Sequence, residues 1–173
     1  MPVSQAVEYA KKALSYAWDG TFPVNPERIA QGLVKKENGN QFRIRVNARS
    51  PFDDDLGTAS GYAEFREDDE SYFVCAYNFA EPDYRQRFTI AHELGHVLLG
   101  HVSKGKKAKR DDNFNPRGDW DEVDANAFAA ELLMPELHVR EIVKSMTSIS
   151  DLASHFGVSP TAIRHRLKNL GIL

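Results

Sequence analysis

"RQRFTIAHELGHVLLGH", residues 85–101, sets two histidines four positions apart around a glutamate inside an otherwise apolar run. Four residues turn an α-helix through roughly 400°, so His92 and His96 fall about 40° apart on one face and about 6 Å apart along the axis. Two imidazoles so placed can converge on one point. Glu93 lies about 100° further round, outside that pair of ligands but within reach of a water held beside it. The stretch predicts a buried helix that carries the chemistry of the molecule.

The pattern is HExxH, and the ion that suits it is zinc, which takes imidazole nitrogens at about 2.0–2.1 Å and keeps a position open when it is catalytic. The bland reading is a core helix whose histidines hydrogen-bond to their neighbours. A third ligand is expected on "WDEVDANAFAAELLM", residues 120–134, a helix that ends where Pro135 pushes the preceding residue out of the α region. Two acids compete there. Glu122 shares a face with Asn126, Ala129 and Leu133, and Asn126 one turn on would orient a ligand histidine. Asp124 points nearly opposite, beside Phe128 and Glu131. Glu122 is the expected ligand and Asp124 the alternative, although Glu122 also fits a capping box with Asp119 as the cap. His101 is a poor third ligand: in the longer pattern HExxHxxGxxH, glycine would fall at Leu99 and histidine at Val102. On a continuous helix His101 would lie roughly opposite His92 and His96, packed or facing solvent.

Composition frames what surrounds that helix. With 173 residues, 42% hydrophobic and 27% charged, the chain is long enough for one well-cored domain and short for two. The expectation is a single unit, with a peptidase-like core over residues 1–146 and a helical hairpin over 147–173. A net charge of −3 offers no general attraction to nucleic acid or anionic membrane. No apolar run approaches the roughly 20 residues that span a bilayer. The N-terminal "MPVSQAVEYAKKALSYAW" reads as an amphipathic helix without a signal-peptide cleavage pattern, so a cytoplasmic location is expected. Cys75 is the one cysteine, which excludes an internal disulfide and a thiolate zinc cluster and suits a small core residue.

Along the chain, residues 3–18 have a helical period, and "VNPERIAQGL" begins a short second helix with Asn25 as cap and Pro26 in the first turn. Alternation then takes over. Residues 41–46, 59–65 and 71–78 read as strands of a small, mostly antiparallel sheet, separated by "PFDDD" and "REDDE", which are expected to be solvated turns. The polar segment from Val102 to Gly118 is long for a loop in a compact domain and is a candidate functional surface; its basic run "KGKKAKR" is expected to be solvated. The fold class is therefore α+β, a small sheet packed on the HExxH helix, with a helical C-terminal half.

"DLASHFGVSPTAIRHRL" has the spacing of a helix-turn-helix, with Thr161, Arg164, His165 and Lys168 on the side that would face a major groove. From Thr147 onward the segment carries Arg164, Arg166 and Lys168 against Asp151, which is weak for binding phosphates. A hairpin that completes the core is the better account, and direct DNA binding is not expected.

"RQRFTIAHELGHVLLGH" followed by "EVDANAFAAELLMP" resembles the ImmA/IrrE group of bacterial and phage-associated zinc metallopeptidases, and the likeness extends to "FPVNPERIAQGL", "SGYAEF" and "LASHFGVSPTAIRHRLKNLGIL". The resemblance implies a gluzincin-like fold with zinc on His92, His96 and Glu122 and with Glu93 as general base. It also implies a protein substrate, a repressor of the helix-turn-helix class. Manganese is an alternative to zinc in a site of this kind. Two other readings stay open: a DNA-binding regulator with a structural metal, and a metal-containing module that binds a partner without free protease activity.

Overall fold

Sequence local to each helix explains where it starts and which side it buries. In α1 (Val3–Ala17) the buried residues Ala6, Ala10, Ala13 and Leu14 recur at helical spacing. In α2 (Pro26–Gln31) the Asn25 side chain accepts from the backbone N–H groups of Glu27 and Arg28, as the cap reading expects. The computed structural model describes residues 3–106 and 119–173; most of the polar segment from Val102 to Gly118, with most of its basic run, lies outside the described residues.

Four strands follow: β1 (Val34–Glu37), β2 (Asn40–Arg49), β3 (Gly61–Glu67) and β4 (Ser71–Asn78), in spatial order β1-β2-β4-β3. β1 and β2 form a hairpin through the two-residue turn Asn38–Gly39, a favoured hairpin sequence. β3 and β4 are also antiparallel, while β2 and β4 run parallel, with Ile44 opposite Phe73 and Val46 opposite Cys75. Residues 50–60 carry the chain beyond the place that β4 takes, and β4 returns to fill the gap. That route makes the central pair parallel and leaves two of the three pairings antiparallel.

β4 is buried on both faces. Phe73 and Cys75 join the main core with the helices, and Val74 and Ala76 meet Leu56 and Tyr62 on the other side. Cys75 is fully buried, and burial pushes its thiol well above the usual range, as suits an inert core residue.

Against the sheet lies α3 (Asp83–Leu99), which contacts β3, β4 and α4 (Trp120–Leu133). The chain then forms α5 (Glu136–Ile142), α6 (Ile149–Phe156) and α7 (Pro160–Asn169). Ser148 and Ser159 cap the last two helices, and Gly157 ends α6 in the left-handed conformation. Leu152, Phe156, Val158, Ile163 and Leu167 enter the same core as Leu94, Phe128 and Leu132. Arg166 ties α7 to α4 through the Glu131 carboxylate and, at 3.0 Å, the Met134 carbonyl. Among the described residues no helix is long and apolar enough to cross a membrane.

Candidate metal centre

Residues 89–97 of α3 are all buried, because the sheet covers one side of the helix and α4 the other. Gly95, inside the HELGH stretch, sets how close α4 comes. A Cβ there would stand 3.1 Å from the Phe128 ring and 3.3 Å from the Ala125 backbone, so a larger residue would force the two helices apart. This contact lies one turn from Glu122. Its Oε2 is 3.1 Å from His92 Nε2 and its Oε1 is 3.1 Å from His96 Nε2, while the two ring nitrogens are 3.0 Å apart.

Among the described residues, His92, His96 and Glu122 form the one group of three that could hold a metal ion, with their ligand atoms all within 4.8 Å of one another. The donor chemistry fits a cation. His92 Nδ1 lies 3.0 Å from Asn126 Oδ1, and an amide oxygen only accepts, so Nδ1 carries the proton and Nε2 turns a bare lone pair toward Glu122. Lone-pair atoms about 3 Å apart have the spacing of ligands that share a metal at roughly 2.0–2.1 Å.

Electrostatics agree. Burial works against a charge on His92, yet the carboxylates of Glu122 and Glu93 raise its pKa overall. Burial likewise opposes the charge on Glu122, but the neighbouring His92 and His96 rings hold its carboxyl well below the ordinary range. The centre attracts positive charge. Glu93, beside it on α3 and outside the group of three, is raised above the ordinary range by burial, against the opposing pull of His92 and His96.

The cap and ligand readings of Glu122 separate here. Asp119 does cap α4, accepting from Asp121 N–H, while both Glu122 oxygens turn inward to the histidines. Asp124 is fully buried outside the group of three, and its charge acts on His101.

His101 is packed, but not where a continuous helix would put it. Gly100 adopts φ of 80°, the His101 N–H bonds back to the His96 carbonyl at 3.0 Å, and the chain reverses. The His101 ring comes to lie behind His96, their Nδ1 atoms 3.0 Å apart. Burial and the proximity of His96 lower its pKa to about 4, so the ring is neutral.

Residues 42–168 match the IrrE N-terminal-like domain of the Peptidase M78 family. The chain belongs to the M78 family. The matched span holds the whole centre together with α3, α4 and nearly all of α7; "FPVNPERIAQGL" precedes it. No curated protein matches the sequence. As an M78 chain it has a peptidase-type fold in which a buried His/His/Glu group is placed to take a metal.

A direct test of that group compares the two acids of α4. Glu122→Ala is expected to weaken zinc binding by more than the roughly 100-fold that loss of an outer partner causes. Asp124→Asn is expected to keep stoichiometric zinc. Metal titration against a chromophoric chelator separates them, and the reverse ranking would place the third ligand on Asp124.

Proposed function

We propose that this M78 chain is a zinc-dependent endopeptidase acting in the cytoplasm on a protein substrate, a repressor of the helix-turn-helix class. The observation that carries the reading is the buried convergence of His92, His96 and Glu122 with Glu93 beside it on α3. Zinc held by these three side chains supplies Lewis acidity toward a peptide carbonyl and toward water. Manganese would be held by the same donors. Glu93 takes the proton: its carboxylate accepts one from the attacking water and returns it to the leaving amine.

Selectivity is assigned to the C-terminal helices. A cavity of about 570 Å³ opens between α3, α4 and α7, with Tyr84, Phe88, Asn126, Met134, Thr161 and His165 in its wall. Two of these residues bear on the centre: Asn126 bonds His92, and Phe88 stacks on the His92 ring at 6.3 Å between centroids. A substrate side chain in this cavity would be registered against the metal ligands, and specificity of this kind rests on contacts that only the right partner satisfies. Thr161 and His165, which on the helix-turn-helix reading would face DNA, also line the cavity. Of the three cations in that segment, Arg166 is buried against Glu131, which leaves Arg164 and Lys168 for phosphate.

Incubation with a helix-turn-helix repressor from the same locus, with zinc and with manganese, tests the proposal by mass spectrometry of the products. One discrete cut that disappears in Glu93→Gln is expected, with casein left largely intact. Rapid degradation of unrelated unfolded proteins would overturn the selectivity. An intact repressor under both metals would favour a partner-binding module.

A further inference from the structure

We propose that His101 is a positioning residue for the metal centre, holding His96 in the tautomer and ring orientation that leave Nε2 free to bind the ion. The inference rests on reading His96 as a ligand, and it adds the group that makes His96 fit for the task.

The argument starts from the pair of ligand rings. A neutral imidazole has one proton, and a ring that binds a metal through Nε2 must carry that proton on Nδ1. Each Nδ1 of the pair therefore needs an acceptor behind it, because both rings are buried and an unsatisfied donor there is costly. For His92 the acceptor is Asn126 Oδ1 at 3.0 Å. For His96 the atom at the same distance is His101 Nδ1.

Two nitrogens facing one another can share the proton in two ways. If His101 donates, the His96 proton sits on Nε2 and points at His92 and Glu122, where a ligand lone pair is needed. If His96 donates, its Nε2 is bare, and the proton of His101 sits on the far nitrogen. That far nitrogen, His101 Nε2, is buried without a hydrogen bond among the described residues, and the Asp121 carboxylate faces it with Oδ1 3.5 Å away. The carboxylate favours a proton there and so selects the second arrangement. Asp121, His101 and His96 form a line from the start of α4 to the metal side of α3.

The backbone explains why a residue beyond the end of α3 reaches back so far. Gly100 takes the left-handed conformation that favours glycine and that ends helices, and the bond from His101 N–H to the His96 carbonyl closes the motif. In this motif the residue after the glycine commonly packs an apolar side chain on the last turn. Here the same position delivers an imidazole, 6% exposed, onto a ligand histidine.

The test uses the full-length protein with zinc alone as the probe. His101→Leu fills a similar volume without an acceptor, and His101→Asn places an amide oxygen near the position of the imidazole Nδ1, copying what Asn126 does for His92. Zinc binding by competition with a chromophoric chelator is expected to weaken about 10–100-fold in His101→Leu, the range seen when an outer partner of a ligand is removed, and to recover most of the loss in His101→Asn. A role in packing alone would be met by leucine and not by asparagine. Independently of either variant folding, nitrogen-15 spectra of zinc-loaded wild type are expected to show His96 protonated on Nδ1, with a coupling across the hydrogen bond to His101 Nδ1. Wild-type affinity in His101→Leu, no recovery in His101→Asn, or a His96 without a proton on Nδ1 would each overturn the proposal. Wild-type protein that takes up no zinc is a different result and would overturn the metal centre itself.

Discussion

Glu93→Gln is expected to keep its zinc and to lose peptide hydrolysis by at least the roughly 10²–10⁴-fold that a positioned proton-transfer group contributes. His92→Ala and His96→Ala are expected to lose zinc and activity together. The contrast follows from placement. Each ring Nε2 lies 3.1 Å from one Glu122 oxygen and the two ring nitrogens are 3.0 Å apart, whereas Glu93 stands outside that group on the same buried helix. Glutamine keeps the size and most of the polarity of glutamate but cannot accept and return a proton, so a variant that binds metal and does not cut isolates the proton-transfer role. Metal content by atomic emission, read beside cleavage by mass spectrometry, separates the two classes of variant. Loss of zinc in Glu93→Gln would move Glu93 among the ligands, and full activity in that variant would remove it from the mechanism.

Truncation before Ser148 is expected to unfold the protein. Leu152, Phe156, Ile163 and Leu167 are each no more than 3% exposed, and burying a side chain of this kind contributes about 1.5–3 kcal/mol. Four of them amount to much of the roughly 5–15 kcal/mol by which a domain is stable. The cut also removes Arg166 and strands the Glu131 carboxylate, 2% exposed inside α4, and losing one partner of a buried ion pair costs about 3–5 kcal/mol. Circular dichroism and thermal melting of residues 1–147 against the full chain give the result. A truncated protein that melts like the whole one, and has lost only binding to a specific DNA, would assign the hairpin to DNA reading.

Local chemistry made several elements legible in the sequence. The histidine spacing placed both rings on one helical face, Asn25 and Pro26 marked the start of α2, and Pro135 marked the end of α4. β4 was readable at its full extent from "SYFVCAYN", because a central strand covered on both faces is apolar almost throughout. β1 was not, since "VKKE" holds one apolar residue, Val34, and that side chain is exposed; only the Asn-Gly turn after it hinted at a hairpin. The parallel pairing of β2 with β4 has no local signal, because it depends on where residues 50–60 carry the chain.

The centre divides in the same way. Periodicity alone set Glu122 on a face with Asn126 and away from Asp124, since both sides of that comparison lie on one helix. Whether Glu122 served the cap or the histidines depended on the distance between α3 and α4, which Gly95 and Ala125 set by side-chain volume across the contact. His101 was misplaced for a related reason. Extending the helical period through residue 101 put it on the far side of α3, but Gly100 breaks the period, and a single left-handed residue redirects everything after it. Within a helix the sequence by itself determines angle and spacing, because backbone geometry is local. Which of those faces meet, and how closely, is decided only when distant segments pack, because contact depends on volumes and chain paths that no single stretch contains.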